Sequence, residues 1–152
     1  MVRFYDSVDD KLIKYAVIIS RSNGKWVFCK HKDRTTLEVP GGHREQGETA
    51  DEAAERELRE ETGAVDFTIA PICVYSVAET EKAEESYGML YHAEINTFES
   101  ELHSEIESVH LIDDLPDEWT YPLIQPELIQ EAIRRKALCS DERCRTQFEE
   151  LI

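Results

Sequence analysis

The chain has 152 residues, with 33 acidic and 17 basic side chains and a formal net charge of −16. That length suits a single domain with its own core, and 41% hydrophobic residues set it apart from disordered chains. The acidity excludes tight tracking of a nucleic-acid backbone, which needs a basic surface. A small phosphorylated ligand stays compatible with it, because bound metal ions supply positive charge.

No internal repeat or low-complexity linker divides the chain, so residues 1–152 read as one domain. Met1 to Asp10 is polar and acidic, and no run approaches the roughly 20 apolar residues of a membrane span. Cys29 and Cys73 lie in apolar strand-like runs and read as buried thiols. Cys139 and Cys144 have no histidine or second cysteine pair near them, against a zinc site there. A reduced cytoplasmic setting is the expectation.

In chain order, Val2 to Asp6 reads as a short edge strand. Lys11 to Ser20 is a nearly continuous apolar run, as a central strand requires. Ser22-Asn23-Gly24 is a turn signal. Lys25 to Lys30 returns as a strand with Trp26 and Phe28 on one face and Val27 and Cys29 on the other. Lys30, Lys32 and Arg34 then cluster around a charged loop, and Leu37 to Val39 is a short extended piece. Pro40-Gly41-Gly42 is expected to be a tight turn, since glycine permits positive φ. Thr49 and Glu52 form a capping box for a helix that Gly63 ends as a left-handed cap. Val65 to Ala78 and Ser86 to Phe98 are extended, the first interrupted at Pro71, and Ser108 to Ile112 is a last short strand. Pro126 to Leu138 is expected to be a helix, and Ser140 to cap a final one reaching Glu150. This order predicts an α/β fold, a mixed sheet covered on both sides.

The stretch Gly42 to Gly63, GHREQGETADEAAERELREETG, holds seven glutamates. At about 100° per residue, Glu57 and Glu61 fall roughly 40° apart and in line with Ala50 and Ala54, flanked by Leu58 and Glu60. Acids on the stripe that faces the protein must be paired, protonated or bound to a cation. Three of them converging points to a divalent metal site. A plain surface helix laced by Glu52–Arg56 and Arg56–Glu60 pairs explains the charge. It does not explain inward carboxylates, a double glycine and two capped ends together.

Gly42, Glu48, Arg56, Glu57, Leu58, Glu60, Glu61 and Gly63 spell G-x5-E-x7-R-E-[apolar]-x-E-E-x-G. This resembles the Nudix box at eight of nine defining positions, with Ala64 standing where a bulky aliphatic residue is usual. The resemblance implies an α/β/α sandwich with a loop–helix–loop catalytic element that splits a P–O–P bond in a nucleoside diphosphate derivative. It implies Mg²⁺, with Mn²⁺ as the alternative ion, held by Glu57, Glu60, Glu61 and the backbone carbonyl of Gly41. Glu48 and Arg56 would orient those carboxylates. A further catalytic glutamate is expected before the last strand, where Glu105 and Glu107 stand.

The segments around the box resemble the MutT branch, which takes nucleoside triphosphates to monophosphate and diphosphate. By that likeness Gln125 falls where a base-reading asparagine is found, and an amide can bridge a donor and an acceptor. His43 and Arg44 are candidate phosphate contacts, equally readable as a plain surface pair; Lys30, Lys32 and Arg34 are candidates to line the mouth for phosphate, with a solvated loop as the favoured reading. Three readings stay open from the sequence. They are a triphosphate pyrophosphohydrolase, an enzyme acting on another derivative such as a nucleotide sugar, dinucleoside polyphosphate or RNA 5′ end, and a nucleotide-binding module without turnover. A small nucleotide is the expected partner, without membrane or extended nucleic acid; the oligomeric state is not written in the sequence.

Overall fold

The computed structural model describes residues 1–102 and 105–135. Strands β1 (Val2–Tyr5), β2 (Ile13–Ser22), β3 (Lys25–His31), β4 (Gly41–His43), β5 (Ala64–Val77), β6 (Ser86–Phe98) and β7 (Ile106–Ile112) form one mixed sheet. Its order is β1-β5-β6-β2-β3-β7, with β4 added on β2. Helix α1 (Ala50–Thr62) lies between β4 and β5, and α2 (Gln125–Arg134) follows β7.

The long apolar run does become the sheet's middle, for β2 pairs in parallel with β6 and antiparallel with both β3 and β4. Asn23 and Gly24, with φ of 51° and 75°, make the two-residue turn into β3. Alternation on β3 then splits the core into two layers. Trp26 and Phe28 pack with Leu128, Ile129 and Ala132 of α2. Val27 packs with Ala53, Ala54 and Leu58 of α1 on the opposite face. The sheet is therefore covered on both sides, an α/β sandwich. Pro71 does not interrupt β5; the strand runs through it with a register shift between Pro71 and Cys73.

The expected turn at Pro40-Gly41-Gly42 is a strand. Gly41 and Gly42 pair with Val17 and Ala16, and neither has positive φ. Their glycines are required by close approach. A Cβ on Gly41 would sit 2.7 Å from the Ala16 carbonyl oxygen, and one on Gly42 would sit 2.7 Å from Cδ of Glu57. The tight turn falls later, at Gly47 with φ of 81°. The second helix begins at Gln125, and the expected helix from Ser140, with Cys139 and Cys144, lies outside the described residues. Among the described residues no helix is long and apolar enough to cross a membrane.

Candidate active site

Helix α1 is fixed at both ends by its own sequence. The Thr49 side chain accepts the Glu52 N–H, the Glu52 carboxylate accepts the Thr49 N–H, and Gly63 closes the helix with φ of 75°. Ala53, Ala54 and Leu58 are buried without residual exposure and seat it on the sheet. Tyr91 of β6 adds a hydrogen bond to Asp51 at 2.6 Å. With the helix so placed, its inward carboxylates meet the glycine strand. The Glu57 carboxylate lies over Gly42, and Glu61 Oε1 accepts the Gly41 N–H at 2.6 Å.

Arg56 organises the acids. Its Nε and Nη2 donate to the two Glu48 oxygens at 2.7 and 3.0 Å, a bidentate pair. Its Nη1 donates to Glu57 at 2.9 Å and to Glu60 at 3.3 Å, and Nη2 also reaches the His43 carbonyl at 3.0 Å. The Arg56 guanidinium and the Glu45 N–H hold the Glu48 carboxyl down near about 2, so it stays ionised. Burial pushes the Glu57 carboxyl up against the opposing pull of Arg56. Burial also drives Glu61 up to about 8, the Gly41 N–H resisting and the Glu57 charge adding to the rise. Burial thus favours the protonated form of both carboxyls. Glu60 differs from its neighbours: its side chain is half exposed and joins the group at the rim through Arg56.

Beside Glu61 lies a residue the sequence did not mark. His31 Nε2 is 3.2 Å from Glu61 Oε2 and 3.2 Å from Glu38 Oε1, and Arg34 donates to that Glu38 oxygen at 2.7 Å. Glu38 is buried. The signal for it was an acid inside the apolar extended piece Leu37-Glu38-Val39. The signal for His31 was the β3 alternation, which carries Val27, Cys29 and His31 onto the α1 face.

A cavity of about 690 Å³ opens along the glycine strand. Its wall includes Gly41, Gly42, His43, Tyr15, Tyr75, Gln125 and the acids Glu38, Glu79 and Glu84, and among the described residues no lysine or arginine lines it. Gln125 is buried and its Oε1 accepts the Val39 N–H at 2.9 Å. The carboxamide is thereby oriented, since only its oxygen accepts. His43 lines the cavity with its ring 4.7 Å from that of Tyr15.

The other sequence candidates stand elsewhere. Arg44 is committed to the loop, donating to the Glu48 carbonyl at 2.6 Å and to Asp10 Oδ2 at 2.8 Å. Lys30 is ion-paired with Glu107 across β3 and β7, and neither lines the cavity. The Lys30 ammonium lowers the Glu107 carboxyl, so this acid is held as a charged partner.

A parallel-and-antiparallel sheet between two helices, with glutamates of one helix gathered over a glycine strand beside a cleft, defines an α/β sandwich with a carboxylate-rich site. The chain belongs to the NUDIX domain family, whose model matches residues 11–132. It is 36% identical over 105 residues to YtkD of Bacillus subtilis (strain 168), a protein provisionally named an 8-oxo-dGTP diphosphatase. That match covers 68% of this chain and spans 65% of the relative's length. Among solved structures, the Bacillus subtilis pyrophosphohydrolase BsRppH superposes with a TM-score of 0.72 at 26% identity, over 88% of this chain and 90% of that one. A UDP-X diphosphatase shares the fold at a TM-score of 0.67 and 16% identity, over 82% of this chain and 63% of that one.

Proposed function

We propose that the chain hydrolyses a P–O–P linkage in a nucleoside triphosphate, releasing monophosphate and diphosphate, with a divalent cation on α1. The observation that carries this reading is the Arg56 network. One guanidinium presents Glu48, Glu57 and Glu60 together, while Gly41 holds Glu61 beside them. The donor set is all oxygen, as Mg²⁺ prefers; Glu61 is buried and Glu57 partly so, and among the described residues no lysine or arginine of the cavity wall stands ready to neutralise phosphate. These residues fit the ion. Glu57, Glu60, Glu61 and the Gly41 carbonyl would hold it, and Mn²⁺ suits the same donors.

When bound, the cation neutralises phosphate oxygens and acidifies a water. The chain's own contribution is placement. Arg56 and Glu48 fix the rotamers of the acids, Gly42 leaves room for Glu57 against the sheet, and Gln125 and His43 meet the nucleotide in the cavity. Glu107 was the sequence candidate for a further catalytic acid; its pairing with Lys30 gives it a structural role instead in this reading. Support for a triphosphate comes from the name of the 36% identical relative, and support for anhydride cleavage in general from the 26% identical pyrophosphohydrolase.

The test is a substrate panel with Mg²⁺: nucleoside triphosphates with and without an oxidised purine, nucleotide sugars, dinucleoside polyphosphates and triphosphorylated RNA ends. Diphosphate release from triphosphates, abolished by a chelator, is the expected result. Orthophosphate release alone would redirect the reading to another bond, and saturable nucleotide binding with no turnover of any substrate would replace the enzyme with a binding module.

A further inference from the structure

Glu61 has a second set of neighbours, and they are chemically unlike the first. Cys29, His31 and Glu61 present a sulfur, a nitrogen and an oxygen that all lie within 4.8 Å of one another. Cys29 and Glu38 exchange both backbone hydrogen bonds, at 2.8 and 3.0 Å, which fixes the thiol on the α1 side of β3. Cys29 is fully buried, and its Sγ–H donates to the Glu38 carbonyl at 3.4 Å. His31 Nε2 already faces Glu61 Oε2 and Glu38 Oε1 at 3.2 Å each.

Tetrahedral zinc with thiolate, imidazole and carboxylate ligands has ligand-to-ligand edges of about 3.4–3.6 Å. The His31–Glu61 edge is already close to that length, and the sulfur is reached by a side-chain shift of about an ångström. Glu38 faces the same His31 nitrogen but lies outside the three-atom group, which leaves the fourth position to water. Such a mixed soft set selects a borderline transition ion over Mg²⁺, which takes oxygen donors.

We propose that Cys29, His31 and Glu61 form a second, transition-metal site of Zn²⁺ type that shares Glu61 with the Mg²⁺ set, so that the two ions exclude each other. On binding, the Cys29 S–H bond is broken heterolytically, its proton leaves to solvent, and the thiolate takes a place on the ion with no change of oxidation state. His31 Nε2 turns its lone pair to the same ion. Zinc held on the Oε2 side occupies the carboxylate that the Mg²⁺ set needs, and zinc thereby acts as an inhibitor. The existence of the site stands independently, whereas the inhibition rests on the hydrolase reading given above.

The test uses the full chain with Cys73, Cys139 and Cys144 replaced by serine, which leaves Cys29 as the single thiol. Adding Co²⁺ as the spectroscopic probe, without nucleotide, should give one equivalent of binding with a thiolate-to-cobalt charge-transfer band that Zn²⁺ displaces. Cys29→Ser should remove the band and His31→Gln should weaken Co²⁺ binding at least about 10-fold. Circular dichroism of both variants should match that of the parent. In the hydrolysis assay at fixed Mg²⁺, Cys29→Ser should need at least about 10-fold more Zn²⁺ for half inhibition than the parent. Absence of a thiolate band in the parent, or its persistence in Cys29→Ser, overturns the site whatever the enzyme assay gives. A band without Zn²⁺ inhibition of an active enzyme overturns the sharing of Glu61. A band in a protein that turns over no nucleotide keeps the site and removes the hydrolase reading.

Discussion

Gly42 and Glu57 are one feature written in two places, fifteen residues apart. The glycine exists so that the carboxylate can lie against the sheet edge. Gly42→Ala should therefore push the Glu57 carboxylate aside and leave the fold standing, because the displaced atoms are the end of a flexible side chain. The expected result is a loss of Mg²⁺ affinity of at least about 10-fold, read from the metal dependence of the rate, with the melting temperature nearly unchanged. An unaltered metal dependence would show that Glu57 does not need that position. Glu57→Gln and Glu61→Gln should each lower turnover at least about 100-fold, with chromatographic behaviour and circular dichroism unchanged. Equal rates in both variants and parent would remove the assignment. The spacing of these residues was legible in the sequence because the helical period aligns Glu57 with Glu61. The reason for the glycine was not legible, since a strand that touches another element's side chain leaves the same Gly-Gly as a turn. His31 and Glu38 were missed for a related cause: their partner Glu61 is some twenty to thirty residues away, and a contact of that separation has no local period.

At the scale of elements, what local chemistry dictates was readable and what the sheet assembles was not. Thr49, Glu52 and Gly63 mark the bounds of α1 because caps are made within one turn of chain. Thr49→Ala should cost about 1 kcal/mol in denaturant unfolding, and a much smaller effect would mean that sheet packing alone sets the helix start. Glu85 is the opposite case. It accepts from Arg3, Tyr5, Ser76 and Tyr87, residues brought together only when β1, β5 and β6 pair. Those donors, led by Tyr5 and Tyr87, hold its carboxyl down near about 2. The unfolded value is about 4.3. A lowered folded pKa means that the native state releases its proton first, so this stabilisation is complete above about pH 5 and fades as pH falls toward about 2. Glu85→Gln should accordingly be less stable than the parent near neutral pH, with the gap closing on acidification. A gap that stays constant from about pH 7 to about pH 3 would show that the hydroxyl contacts, and not the charge, matter.

Across the whole molecule the acid excess acts on the approach of substrate. The net charge is −16, and the basic side chains nearest the site are spoken for: Arg56 by the glutamates, Arg34 by Glu38, Lys30 by Glu107. Among the described residues the cavity wall carries Glu38, Glu79 and Glu84 and neither lysine nor arginine. A nucleotide that stays anionic with its metal is therefore repelled at distances beyond contact, and screening relieves that repulsion. Raising ionic strength from about 20 to about 200 mM shortens the Debye length by roughly threefold. At constant free Mg²⁺, kcat/KM for a triphosphate should hold steady or rise across that range, and duplex DNA in excess should not inhibit at the low end. Basic, phosphate-steering proteins show the reverse, with affinity falling steeply in salt. A steep fall in kcat/KM with added salt, or inhibition by duplex that salt abolishes, would mean that Arg34 or Arg44 leaves its partner in the unliganded protein to meet phosphate. The charge that guides substrate would then belong to the polypeptide, and the bound cation would be left with the chemistry alone.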